Sequence, residues 1–173
     1  MTNTDMIAAI IASTREVFSM MLGIEVEPGE PFVGEKAATE SGVLALVGLA
    51  GSWVGTGSMS CSTALGCHLA AQMLMTECPG INDEVMDALA EIANMVIGNV
   101  KTQLESTVGS MALSTPTVIY GHNFETRRVG SREWVAVPFR CHDATVNVQL
   151  CLAEAHSGAT FRPGFSLPHA VQI

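Results

Sequence analysis

The stretch Asn82–Glu105, NDEVMDALAEIANMVIGNVKTQLE, decides how the chain reads. Asn82 is a good N-cap, Asp83 and Glu84 put negative charge in the first turn, and Ile81 with Met86 can close a hydrophobic staple. Val85, Leu89, Ile92, Val96 and Val100 recur at helical spacing and predict one face laid on a core. On the opposite side, Asp87, Glu91, Asn94, Gly98, Lys101 and Glu105 share an arc of roughly 80° at about 100° per residue. Glu91 and Asn94 stand three residues apart, so their side chains emerge as neighbours, about 5–6 Å apart at Cβ. A polar stripe is ordinarily the solvated face of an amphipathic helix. Two residues here do not suit that role. Asn is a poor interior helix former, and Gly costs about 1 kcal/mol relative to Ala. Gly98 suits a place where another backbone or loop must come close.

Outward from this helix, the N-terminal segment carries Ile7, Ile10, Ile11, Thr14, Val17, Phe18 and Met21 as an inward stripe. Asn3 or Thr4 is its expected cap and Gly23 its expected end. Ile24–Val33, interrupted by proline, reads as an edge strand followed by a loop. Val43–Leu49 is a nearly unbroken apolar run. It turns at Ala50-Gly51-Ser52 and returns as the Gly-rich strand Trp53–Ser60, a hairpin in which Gly55 and Gly57 permit close backbone approach. Ser60 or Ser62 caps a second helix through Met75, with Leu65, Leu69, Met73 and Leu74 inward and Cys78-Pro79-Gly80 as its stop. Beyond the central helix, Thr107–Thr115 reads as a connection. Thr117–Tyr120, Glu133–Phe139 and Thr145–Leu152 are strand candidates. The last alternates as a half-buried antiparallel strand should, after a turn at Cys141–Ala144. Helices segregated from hairpins predict an α+β fold: a two-layer, mainly antiparallel sheet covered by three helices. Residues 1–156 are expected to form one domain and 157–173 an irregular C-terminal tail.

Composition narrows the function. Hydrophobic residues make up 48% of the 173 residues and charged ones 14%, which suits a folded domain. With 8 basic and 17 acidic residues the net charge is −9, which argues against nucleic acid or an anionic membrane surface as partner. No apolar run reaches the roughly 20 residues of a membrane span. The N-terminus lacks the basic region of a signal peptide. The 5 cysteines form no CxxC pair, so a reducing, cytoplasmic setting is expected.

The run Asp87-x-x-x-Glu91-x-x-Asn94-x-x-x-Gly98 resembles the signature of the CheC/CheX chemotaxis phosphatases. The order of elements is similar as well, from FSMMLGIEVE through VLALVGLAGSWVGTGSMS to VAVPF and VNVQLCLAE. The resemblance implies a CheC-like fold and a phosphatase that removes the phosphoryl group from the aspartyl phosphate of a CheY-like response regulator. In that reading Asn94 holds the attacking water and Glu91 pairs with the regulator's active-site lysine. Asp87, Gly98 and Lys101 are assigned to the partner-binding surface, with an ordinary exposed ion pair to Glu105 as the other reading of Lys101. No cofactor is implied for this chain, since Mg2+ is expected on the regulator. The first helix has Ser13 and Glu16 but no ExxN, so the resemblance is to the CheX type, with one site per subunit and a homodimer.

Two other chemistries find little support in the residues. Cys61, Cys67, His68 and Cys78 match no usual zinc spacing, and Cys67 and His68, being adjacent, diverge on a helix. A nucleophilic cysteine beside His142 or His122 lacks anything to bring the pair together. The principal alternative to an enzyme is a non-catalytic module of the same fold that binds a receiver domain or a flagellar-switch component.

Overall fold

In the computed structural model, which describes residues 1–34, 40–124 and 133–155, the chain begins on a reciprocal helix cap. Thr2 Oγ1 accepts from the Asp5 amide at 3.2 Å, and the Thr2 amide donates to Asp5 Oδ2 at 2.7 Å. Asn3 and Thr4 were the expected caps. Only Thr2 has a carboxylate three residues ahead to complete the exchange, whereas Asn3 and Thr4 would look ahead to Met6 and Ile7. Helix α1 (Asn3–Val17) runs on into a π turn, Phe18–Leu22, which ends at Gly23 in the left-handed region (φ 65°). The wider turn rotates the register, so Leu22 is buried while Met21, expected inward, is 54% exposed.

The predicted edge strand is two pieces, β1 (Glu27–Pro28) and β2 (Phe32–Gly34), both laid against the strand Trp134–Cys141. Between them the Gly29 amide donates to the Pro138 carbonyl at 2.7 Å. Strands β3 (Glu40–Gly51) and β4 (Trp53–Cys61) form the expected hairpin. Helix α2 (Thr63–Leu74) is capped by Ser62, whose hydroxyl accepts from the Leu65 amide. It stops at Leu74, with Met75 in the left-handed region, before the Cys78-Pro79-Gly80 stop is reached. Leu65 and Leu69 point inward as expected, but Leu74 is 40% exposed.

Helix α3 (Asp83–Val108) starts at Asn82, whose side chain accepts from the Val85 amide at 2.9 Å. The expected connection at Thr107–Thr115 contains a short strand, β5 (Met111–Leu113), paired with β3. Strands β6 (Thr117–Phe124), β7 (Trp134–Cys141) and β8 (Ala144–Glu154) complete the chain. The sheet runs β1-β7-β8-β4-β3-β5, with β2 also along β7 and β6 also along β3, and its pairings are antiparallel. Strand β8 is central, between β4 and β7, and its second face is not open as expected: Gln149 and Cys151 are buried there, with Trp134 packed on Cys151. The predicted tail at 157–173 lies outside the described residues.

One core joins the helices to a single face of the sheet. Val43, Ala45, Val47, Met59, Val137 and Val148 from the strands pack with Ile10, Phe18, Leu69, Ile92, Val96 and Val100. Two-layer α+β is therefore the observed class. Gly57 sets how closely α3 can approach. A Cβ there would lie 2.6–2.9 Å from three side-chain carbons of Ile97, so the missing side chain is the seat for Ile97.

Candidate functional site

The inward side of α3 is sealed. Val85, Ala88, Leu89, Ile92, Ala93, Val96, Ile97 and Val100 are buried, which includes all five residues read from the spacing. Helix α1 braces one part of it through Gln103 Nε2, which donates to Ser13 Oγ at 3.0 Å. That bond also places Ser13 in the α1–α3 contact, where it is buried, while Glu16 is exposed. The C-terminal end closes on Gly109, whose amide donates to the Glu105 carbonyl at 3.0 Å.

With its inner face fixed, α3 turns Asp87 and Glu91 outward as exposed side chains. Asn94 and Gly98 lie one and two turns further on, half-buried. Among the described residues no side chain hydrogen-bonds or pairs with Asp87, Glu91 or Asn94. A carboxylate and a carboxamide, neighbours on one rigid helix, are thus left with their full bonding capacity. The carboxylate can accept from a cation. The carboxamide can donate and accept at once, which suits holding one water.

Gly98 is not explained by the fold. A Cβ there meets only Leu113 Cδ1 at 3.5 Å, an ordinary contact, so this chain has room for alanine. Lys101 is differently placed from the rest of the stripe. Its Nζ pairs with Glu105 Oε1 at 3.0 Å, and the two side chains are 20% and 25% exposed. Glu105 Oε1 also accepts from the Met111 amide at 2.8 Å and so ties α3 to β5. That amide first, and Lys101 second, hold the Glu105 carboxyl below the usual glutamate range. Since the folded-state pKa is depressed, the stabilisation is complete above the unfolded value and fades as pH falls through the lowered one. Glu105→Ala is expected to destabilise the protein at pH 7, and the gap from wild type should narrow towards about pH 3. Urea unfolding at both pH values checks this, and a gap that does not change with pH would refute it.

The cysteine and histidine candidates are placed elsewhere. Cys141 ends β7, and with Ser62, Leu65, His68, His142 and Asp143 it lines an open cavity of about 340 Å³. The His68 and His142 rings meet edge to face, 5.1 Å between centroids. Burial pushes the Cys141 thiol up, away from the thiolate that a nucleophile needs. Cys61 is buried, and Cys67 and Cys78 are half-buried. Among the described residues no group of three or more His, Cys, Asp or Glu side chains is arranged to hold a metal ion. Nor is any helix among them long and apolar enough to cross a membrane.

Comparison with known proteins agrees with this layout. A CheY-P phosphatase CheX from Thermotoga maritima is 27% identical over 124 residues, which is 70% of this chain and 79% of that protein. The crystal structure of a CheC-like superfamily protein from Shewanella sp. PV-4 superposes with a TM-score of 0.79 at 25% identity, covering 88% of this chain and 99% of that one. A chain of the CheX–CheY–BeF3–Mg2+ complex from Borrelia burgdorferi matches with a TM-score of 0.74 at 28% identity, over 86% of this chain and 97% of its own. The family model for the chemotaxis phosphatase CheX matches residues 43–140, a span that contains α3 from end to end. On that match, which takes in more than half of the sequence, the chain belongs to the CheX family of chemotaxis phosphatases.

Proposed function

We propose that the chain is a cytoplasmic, homodimeric phosphatase that hydrolyses the aspartyl phosphate of a CheY-like response regulator. Glu91 and Asn94 are its catalytic side chains. The observation that carries this reading is the unpartnered pair itself, held on the outward face of a helix whose inner face is sealed. A CheY-P phosphatase among its relatives, and a relative found in complex with CheY, support the choice of substrate.

The chemistry follows from what each side chain can hold. The carboxamide of Asn94 orients a water in line with phosphorus; it does not need to remove a proton, because an acyl phosphate already has a good leaving group. The water oxygen bonds to phosphorus as the bond from phosphorus to the aspartyl oxygen breaks. The regulator regains its carboxylate and inorganic phosphate leaves, with the water's protons passing to phosphate and solvent. Glu91 accepts from the regulator's lysine and so fixes the two proteins in register. Magnesium, expected on the regulator and not on this chain, neutralises charge on the phosphoryl oxygens. Asp87 lies one turn before Glu91 and extends the contact. Lys101, tied to Glu105, borders it.

Gly98 clears the path for the partner's backbone. Gly98→Ala is expected to raise stability by up to about 1 kcal/mol through helix propensity, yet to lower turnover. Thermal unfolding and phosphate release measured on one preparation check this; a variant that is more stable and fully active would remove Gly98 from the interface. Dimerisation is supported by β6, an eight-residue strand paired to β3 on one side. Sedimentation equilibrium giving only the 18.2 kDa monomer would refute it.

The deciding assay mixes the protein with an acyl-phosphorylated CheY-type receiver and magnesium, and follows phosphate loss. Accelerated decay is expected. Unchanged decay with tight binding would leave the non-catalytic receiver-binding module in its place.

A further inference from the structure

Helix α2 ends in a way that its own stability does not favour. Met75 follows Leu74 in the left-handed region (φ 54°, ψ 38°), a conformation in which Gly or Asn is the usual helix cap. Its side chain is 92% exposed, the most exposed large hydrophobic side chain among the described residues. The cap needs no side chain here. The Met75 and Thr76 amides both donate to the Ala71 carbonyl, as they would with glycine between Leu74 and Thr76.

Met75 does not itself line the neighbouring cleft, but the residues on either side of it, Leu74 and Thr76, do. Met73, Leu74 and Thr76 form one wall of an open cleft of about 480 Å³, and Glu84, Asp87, Ala88 and Glu91 of α3 form the other. An apolar ridge therefore faces a row of three carboxylates, none paired among the described residues. Glu91 belongs both to this cleft and to the proposed catalytic face. Such a cleft fits a cationic group flanked by apolar surface. A second copy of this chain, at net charge −9, is a poor match for it.

We propose that Met75, with Met73 and Leu74, is a docking ridge for the phosphorylated receiver domain, seating an apolar side chain that borders the receiver's lysine. The inference rests on the phosphatase reading of the neighbouring face. Methionine suits the role because its unbranched thioether adapts to the surface it meets. The ridge acts on recognition and leaves the chemical step to α3.

Met75→Gly tests this without risk to the fold, since glycine is at ease in the left-handed cap; its melting temperature is expected to rise. Affinity is measured for a CheY-type receiver loaded with beryllofluoride and magnesium, and turnover for the acyl-phosphorylated receiver. Kd and KM are expected to rise about tenfold, the factor that about 1.4 kcal/mol of lost apolar contact produces, with kcat unchanged. Met75→Leu should retain most of the affinity. A Kd within twofold of wild type in Met75→Gly would overturn the ridge, whatever the turnover. A change of oligomeric mass in place of receiver affinity would overturn it too, in favour of a second copy. A wild type that binds the receiver without hydrolysing it defeats the phosphatase reading alone, and the Kd ratio then judges the ridge separately. Failure of the wild type to bind any such receiver overturns both.

Discussion

Asn94→Ala is expected to abolish the acceleration of receiver dephosphorylation, by about 100-fold or more, while leaving the protein folded and no less stable. The size follows from what Asn94 is assigned to do. If catalysis consists of holding a water in line, removing the group that holds it loses positioning, and small misplacements alone cost about 100-fold. The unchanged stability follows from the structure. Asn94 is half-buried on α3, with no partner among the described residues, so alanine breaks no bond and gains several tenths of a kcal/mol in helix propensity. Affinity for the beryllofluoride-loaded receiver should hardly move, because the neighbouring Glu91 and the docking surface remain. Phosphate release, thermal unfolding and binding, measured together, separate this from a structural effect. Acceleration that survives in the variant would remove Asn94 from the mechanism.

Gly57→Ala is expected to damage the protein through the seat of the helix that carries the site. The added methyl would stand within 2.6–2.9 Å of Cδ1, Cγ2 and Cγ1 of Ile97, and β4 is an interior strand, paired with β3 on one side and β8 on the other. Overpacking of this kind costs about 1–3 kcal/mol. In a domain of this size that lowers the melting temperature by roughly 2–4 °C per kcal/mol. Activity should fall as well, because Ile97 lies between Asn94 and Gly98 on the helix that carries the site. The compensating double variant, Gly57→Ala with Ile97→Val, should recover part of both losses, since the two positions share one volume. A Gly57→Ala protein with unchanged melting temperature would show that α3 does not depend on this seat.

Asn94, Gly98 and Met75 share a property. At each, a plain substitution is expected to hold or raise stability; Asn94 and Gly98 lie on the outward side of α3, and Met75 follows Leu74, which lines the cleft beside it. A chain selected for folding alone would carry alanine, alanine and glycine there. Stability given up at these positions supports the proposed docking surface.

The sequence alone was enough to determine α3. Its cap at Asn82 follows from local side-chain chemistry, and its buried residues and outward Glu91 and Asn94 from a 3.6-residue period; both are local and survive translation into any fold. The β3–β4 hairpin was legible for the same reason, as an apolar run, a turn and a returning strand. The tertiary structure alone decided the rest. The π turn after α1 rotates Met21 out and Leu22 in. Glu105 reaches the Met111 amide, Ile97 seats on Gly57, and Gln149 is buried on the second face of β8. Each of these depends on a turn, a register or a neighbouring strand that periodicity does not encode. The ridge at Met75 belongs with them. A hydrophobic pattern marks Leu74 as apolar, but only the early end of α2, and its placement across the cleft from Glu91, turns that surface outward beside the site.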